Sequence, residues 1–381
     1  MESQPLSRPM RSMRRQFGFQ EGGLVLVVIV LGALLTIFGG KVQVPVFKVN
    51  GQGERERLFR ELPGGEREPV FEERNKFLNP QSLAQLAKDT SFIAIMAVGA
   101  TIVIISGGID LSVGSVYALA SVVAAMVLHE FGPDGPHNTV SPWTSVPLGI
   151  VVCVGTAAVC GLLNGGMIVA LRVHPFIITL GTMAIYRGVA FVLTKGQSVG
   201  GFPESFRALI KYGFGTELSI VPLGVMVFVT ALGTMFLSLM AAGRRVYAIG
   251  GNELASRYSG IRVERVKLGV YIISGIMAGI AALLSIGYYG AATSGDGEGY
   301  ELNVIAAAVV GGASLSGGKG SALGALLGAL IIQMISTGIV ILRIDQNYSR
   351  IITGAVVIVA VVLDQVNNWL ATKRLTAKAG R

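Results

Sequence analysis

The sequence predicts an all-α integral membrane protein with about ten transmembrane helices in a tight bundle, and composition, run length and glycine content predict it. Hydrophobic residues fill 52% of the 381 positions and charged residues only 14%, with a mean hydropathy of +0.64. That balance exceeds what a soluble domain needs and is the reverse of a disordered chain's low hydrophobicity and high charge. The apolar residues gather into runs of the length a helix needs to cross a bilayer, about 20 residues. Glycine, at 52 residues, recurs inside those runs, where small residues let helices approach closely or bend.

The runs fall at 22–40, 82–106, 112–130, 146–170, 176–195, 221–240, 268–291, 301–313, 321–341 and 351–370. The eighth is too short to cross alone and is expected to bend. The first follows Arg8, Arg11, Arg14 and Arg15, as a signal peptide's apolar stretch would, but it is long and lacks a small-x-small cleavage site, so it reads as an uncleaved span. The expected organisation is a basic cytoplasmic extension over 1–21, a first span over 22–40 and a charged extracytoplasmic insertion over 41–78. A transmembrane domain over 79–370, with a polar loop at 241–267, and a basic cytoplasmic tail over 371–381 complete it.

Net charge is +9. On a soluble protein this would suggest nucleic acid; here the basic residues lie between apolar runs and report orientation in a membrane instead. With ten spans both termini share one side. The extension, the tail and loop 241–267, with its Arg244, Arg245, Arg257, Arg262, Arg265 and Lys267, concentrate Lys and Arg on that side. Both termini and loop 241–267 are therefore expected on the cytoplasmic side. Lipid is the expected surrounding, and no nucleic-acid partner is expected. Residues 41–76 balance their basic residues with glutamates and, by their Gly/Pro punctuation, read as a loop with short structure. The stretch Phe202–Tyr212 reads as a short helix, either along the membrane surface or re-entrant. Cys153 and Cys160 lie inside one apolar run and His129, His137 and His174 are scattered, so neither a disulfide framework nor a metal site is expected.

Three segments stand out. In Ser106-Gly107-Gly108-Ile109-Asp110-Leu111-Ser112-Val113-Gly114-Ser115, Gly107 and Gly108 allow a sharp turn, and Asp110 is placed to cap a helix beginning at Leu111. A carboxylate near membrane depth is costly unless paired or capped. It marks either a capped helix break or a break beside a translocation path or dimer interface, with Ser112 and Gly114 alongside.

In the loop, Asn252 suits the N-cap of a short helix, Glu253 its first turn, Arg257 its end, and Gly260, after Ser259, its left-handed stop. Leu254, Ala255, Tyr258 and Ile261 recur on one face. That face either docks into a groove on another protein or packs against the ends of its own bundle.

The third segment, Gly299–Ser321, carries Gly311, Gly312, Gly317, Gly318 and Lys319. It has the outline of a phosphate-binding loop, but that pattern needs Gly at 313 and Ser or Thr at 320, where Ala313 and Gly320 stand.

GGIDLSVGS (107–115), GNELASRYSGIRVERVKL (251–268) and GYELNVIAAAVVGGASLSGGKGS (299–321) resemble the permease subunits of bacterial ATP-binding-cassette sugar importers of the ribose, xylose and galactose type. HPFIITLGTM (174–183) and VVLDQ (361–365) are similar as well, so the likeness covers roughly 79–365. It implies a permease that moves a monosaccharide and pairs with a second permease copy, cytoplasmic ATP-hydrolysing subunits and an extracytoplasmic sugar-binding protein. It also implies that the helix within 251–262 is the coupling helix seated on the ATPase, and that ATP and Mg are held by the partner, with no cofactor in this chain. A secondary symporter would place more ionisable groups mid-span than Asp110 and Arg187, which could pair with each other. A membrane enzyme would show a motif such as H-E-x-x-H, and that motif is absent.

Overall fold

The computed structural model describes residues 10–49, 55–61, 66–214, 218–356, 358, 359, 361, 362 and 366. Twelve α-helices organise them. α1 (Met10–Phe38) leads into the insertion. α2 (Pro80–Ile105), α3 (Val113–Glu130), α4 (Pro142–Leu171) and α5 (Pro175–Thr194) follow. Then come α6 (Glu204–Lys211), α7 (Ile220–Leu239), α8 (Ala241–Gly251), α9 (Glu253–Tyr258) and α10 (Val263–Tyr289). α11 (Tyr300–Val310) and α12 (Ala322–Ile341) complete the series. Among the described residues, eight helices are long and apolar enough to cross a membrane, and α11 is a shorter apolar one. The expected tenth run, 351–370, lies partly outside the described residues, where 351–356 are helical; the tail 371–381 and the first nine residues lie outside them altogether.

The helix starts follow local chemistry. Pro occupies the first turn of α2, α4 and α5, where its missing N–H costs nothing. Asn79 caps α2 by accepting from Ser82 N, and Ser321 caps α12 by accepting from Gly324 N. Buried almost throughout, α2 is the central post, packed against α7, α10, α11 and α12, while α1 lies outside against α12. A helix apolar all round suits that position.

The most extensive contact joins α4 to α10. Gly161 on α4 meets Gly275 on α10, with Gly165 against Leu268 on one side and Gly279 against Val154 and Ala157 on the other, so each helix offers two glycines four residues apart. A Cβ on Gly161 would collide with Tyr271 O, one on Gly275 with Ala157 O, and one on Gly279 would lie 2.7 Å from Ala157 Cβ. Two glycine-x-x-x-glycine faces thus bring the backbones into direct contact, the favoured association mode where lipid removes the hydrophobic drive. Cys153, buried in the same seam, donates to Gly279 O at 3.4 Å.

Helix α6 does not lie free on a surface. Phe206 and Ile210 are buried, and Ile210 packs over Gly287 of α10, so the segment is tucked into the bundle end.

The charged insertion is more ordered than a loop. β1 (Lys41–Pro45) pairs with β6 (Phe71–Asn75), β2 (Phe47–Val49) with β3 (Arg55–Arg57), and β4 (Phe59–Glu61) with β5 (Arg67–Pro69), all antiparallel. The three ladders meet where Leu58 N donates to Val46 O, Val70 N to Leu58 O and Val46 N to Val70 O. Val46-Phe47, Leu58-Phe59 and Val70-Phe71 lie twelve residues apart, an internal repeat whose junction residues close the ring. Four further short strands, β7 (Val199–Gly200), β8 (Gly213–Phe214), β9 (Leu218–Ser219) and β10 (Ala291–Ala292), pair β7 with β10 and β8 with β9. The insertion and these strands mark one end of the bundle; α8 and α9 mark the other.

Gly275→Ile forces α10 away from α4 and is expected to cost about 1–3 kcal/mol, the usual range for overpacking. The thermal unfolding midpoint of the detergent-solubilised protein checks it, with Gly269→Ile, whose added side chain starts in open space, as the tolerated control.

Candidate functional site

At the α9 end the structure draws the three sequence segments together through glycine. Gly318 N donates to Ile105 O at 2.9 Å. A Cβ on Gly317 would lie 2.7 Å from Gly250 O and 3.2 Å from Gly107 Cα, and one on Gly250 would collide with Ile105 O. Gly107, Gly312, Gly317 and Gly318 all hold positive φ, where L side chains are strained. Gly108 serves close approach instead: a Cβ there would sit 2.6 Å from the Tyr271 hydroxyl, and Gly311 likewise lies against Gly324 O. Tyr247 of α8, whose hydroxyl burial pushes up to about 12, stays protonated and donates to Gly320 O at 2.7 Å. Lys319 lies in the same turn, its carbonyl accepting from Ser314 N. The signal was present in the sequence as three Gly-Gly pairs, 107–108, 250–251 and 317–318.

Beside this junction stands α9. Asn252 Oδ1 accepts from Ala255 N at 2.9 Å, Ser259 closes the helix and Gly260 takes φ +81°. Glu253 meets Lys267 Nζ at 2.7 Å and Arg257 meets Glu264 at 2.6 Å, tying α9 to the start of α10. Leu254 is 61% exposed and Tyr258 82% exposed, with Ala255 exposed too and Ile261 half-buried. Of the two readings of this face, the exposure favours one turned outward over one packed on its own bundle. A cleft of about 660 Å³ runs alongside, lined by Arg172, His174, Glu253, Arg257, Glu264 and Lys267.

Asp110 does not cap a helix at Leu111. α3 begins at Val113, and Asp110 instead closes the preceding turn: Oδ1 accepts from Ser112 N at 3.0 Å and Ser112 Oγ at 2.7 Å. Its Oδ2 accepts from Ser274 Oγ of α10 at 2.9 Å. Asn164 Nδ2 of α4 donates to Ser112 Oγ, and Tyr186 of α5 donates to Asn164 Oδ1. The buried carboxylate thus has three donors and ties the α2–α3 break to α10, with α4 and α5 joined through Ser112, which meets the demand that a buried charge be hydrogen-bonded.

Arg187 and Asp110 do not pair. Arg187 Nη1 donates to Ser294 O at 2.8 Å and Asp296 O at 2.6 Å, both in the segment between α10 and α11. This is where the short eighth run leads. α11 has 11 residues, about 16 Å of helix, and the irregular stretch 293–299 precedes it. Asp296 shapes that stretch by accepting from Thr293 N and Oγ1 at 2.9 and 2.6 Å. Gly297 lies against the carbonyl of Gly114 and the Tyr117 ring, and Glu301 packs there too. The sequence reading passed over this segment because Ala-Thr-Ser-Gly-Asp-Gly-Glu-Gly has the composition of a surface turn.

The fold and these sites define a polytopic permease. The family model described as branched-chain amino acid transport system / permease component matches residues 82–361, and the chain belongs to that family. It is an all-α, multi-pass membrane permease of the ATP-binding-cassette importer type.

Among curated relatives, the ribose import permease protein of Escherichia coli (strain K12) is 37% identical over 290 residues, covering 76% of this chain and 87% of that relative. The ribose import permease protein of Bacillus subtilis (strain 168) is 38% identical, covering 76% and 86%. The D-allose transport system permease protein of E. coli (strain K12) is 36% identical, covering 76% and 85%. No solved structure matches the chain. The insertion between α1 and α2 lies before the matched region.

Gly250→Ala is expected to open the glycine junction, because its methyl and the Ile105 carbonyl cannot share one position. Gly251→Ala, with open space around it, is expected to behave like the parent. Thermal stability and ATP-driven transport of the two variants, measured side by side, check the contrast.

Proposed function

We propose that this chain is the permease subunit of an importer that carries a monosaccharide of the ribose or allose type across the inner membrane. The observation that carries the reading is the identity to ribose and allose permeases across most of their length, with the exposed apolar face of α9 in support. Two copies pair, cytoplasmic ATPase subunits hold and hydrolyse ATP with Mg, and an extracytoplasmic binding protein delivers the sugar.

On this reading α9 is the coupling helix. Leu254 and Tyr258 enter a groove on the ATPase, and Asn252, Glu253, Arg257, Ser259 and Gly260 hold the helix in place. The phosphate-loop outline at 311–320 fails at Ala313 and Gly320, in keeping with nucleotide held elsewhere. The basic residues of loop 241–267 support a cytoplasmic position for α9 and both termini and an outer one for the β insertion. ATP-driven closure of the partner subunits then moves the two α9 helices and switches the bundle between outward-facing and inward-facing states by rigid-body rotation.

The test is reconstitution of the chain with its ATPase and binding protein in liposomes, reading uptake of labelled D-ribose and D-allose against ATP hydrolysis. In that assay Leu254→Asp or Tyr258→Asp is expected to insert normally yet lower sugar-stimulated ATP hydrolysis and uptake about tenfold or more, since a carboxylate in an apolar groove goes unpaired. Parent-level uptake by both variants would remove α9 from the coupling role. A cysteine at exposed Ala255 is expected to react only from the cytoplasmic side, Cys153 and Cys160 being buried. Reaction with an impermeant thiol reagent in intact cells would invert the topology.

A further inference from the structure

After β10, the stretch 293–299 is irregular backbone that runs from the strand end of the bundle inward to Gly297. Gly297 lies against Gly114, in the first turn of α3, so about 24 Å of helix rise separates that contact from the far end of α3, most of the ~30 Å hydrocarbon thickness. Non-helical backbone at such depth persists only where protein buries it or where it borders a water-filled passage. Gly295 and Glu298 are exposed, with Glu298 paired to Arg350 at 3.0 Å, so the stretch is open on one side.

Two ionisable groups flank it with unused capacity. Both hydrogen bonds of Arg187 come from Nη1, and its other N–H groups meet no protein acceptor among the described residues. Glu301 Oε1 accepts from Gly299 N at 3.2 Å, while its Oε2 is buried without a partner. A guanidinium with free donors and a carboxylate with a free acceptor are complementary to a group that both gives and takes hydrogen bonds, as a hydroxyl does. Glu301 opposes an anionic solute, Arg187 opposes a cation, and an apolar solute leaves both groups unpaired. A neutral polyol satisfies them together.

We propose that Arg187 and Glu301, on the scaffold of 291–299, form a sugar-contact site part-way along the translocation path. Passing hydroxyl groups engage the free guanidinium N–H groups and the unpartnered Glu301 oxygen, while Asp296 acts as a positioning residue that holds the loop. The proposal rests on the monosaccharide reading and adds to it the residues that meet the solute within the membrane. It also gives Arg187 a use other than pairing with Asp110.

Gly295→Cys tests it, since a Cβ there meets only Thr293 Oγ1 at 3.8 Å. In the reconstituted complex with ATPase and binding protein, reaction of that cysteine with a small cationic methanethiosulfonate during turnover is expected to cut D-ribose uptake about tenfold, and saturating D-ribose is expected to slow the reaction. Glu301→Gln supplies an independent measurement: D-ribose moved per ATP hydrolysed is expected to fall about tenfold. Full labelling with uptake intact, or an unchanged transport ratio in Glu301→Gln, overturns the site and leaves the sugar reading standing. An unsubstituted complex that imports no pentose or hexose overturns the sugar reading and the proposal with it.

Discussion

Backbone contact between α4 and α10 is the constraint on which the rest of the bundle depends. Lipid tails are as apolar as leucine, so apolar side chains alone give helices no reason to prefer one another over lipid. Close approach gives them one, through dense van der Waals contact. Gly161, Gly165, Gly275 and Gly279 let carbonyls of one helix lie against α-carbons of the other. With that distance set, Asn164 of α4 and Ser274 of α10 reach the Ser112–Asp110 turn from opposite sides. A wider separation would strand the carboxylate.

Polar groups inside the bundle obey one rule with two outcomes. Asp110 has donors on both oxygens, and its partners link α3, α4, α5 and α10 in one buried network. The Arg187–Glu301 region does the opposite, holding a loop open with backbone carbonyls while an oxygen and several N–H groups stay unused. Satisfied polar networks fix structure, whereas an unpaired buried polar group is costly to hold. The two sites differ in that respect more than in composition.

Much of this was legible in the sequence. Apart from α1, which begins at Met10 and not at 22, the long helices end within about five residues of the apolar runs, because hydrophobic length is a local property. The α9 segment was legible for the same reason: Asn252, Glu253, Arg257 and Gly260 speak to their own neighbours. What distance hides was not legible. Ser274 lies 164 residues from Asp110 and Ser294 lies 107 from Arg187, so periodicity could not join them, and charge alone suggested the wrong partner for each. The Gly-Gly pairs were visible but their meeting was not, since a glycine's neighbour across a junction leaves no local trace. The twelve-residue repeat in the insertion was legible in principle, hidden by the Val/Leu and Lys/Arg/Glu exchanges within it.

α10 joins these parts mechanically. Its first turns carry Glu264 and Lys267, ion-paired to α9, its middle carries Ser274 on Asp110, and its last residue precedes the 291–299 loop. Exposed ion pairs are individually weak, so the tie to α9 holds by number and by the short connection from Tyr258 to Val263. A helix of 27 residues spans about 40 Å, without an internal proline at which to bend. On the proposed reading, displacement of α9 moves α10 with it. The loop at the far end, anchored to α5 through Arg187, is then drawn relative to α5 by the same motion. On the proposed reading this single helix carries the signal of nucleotide closure from the partner's surface to the solute's path, with no separate relay between them.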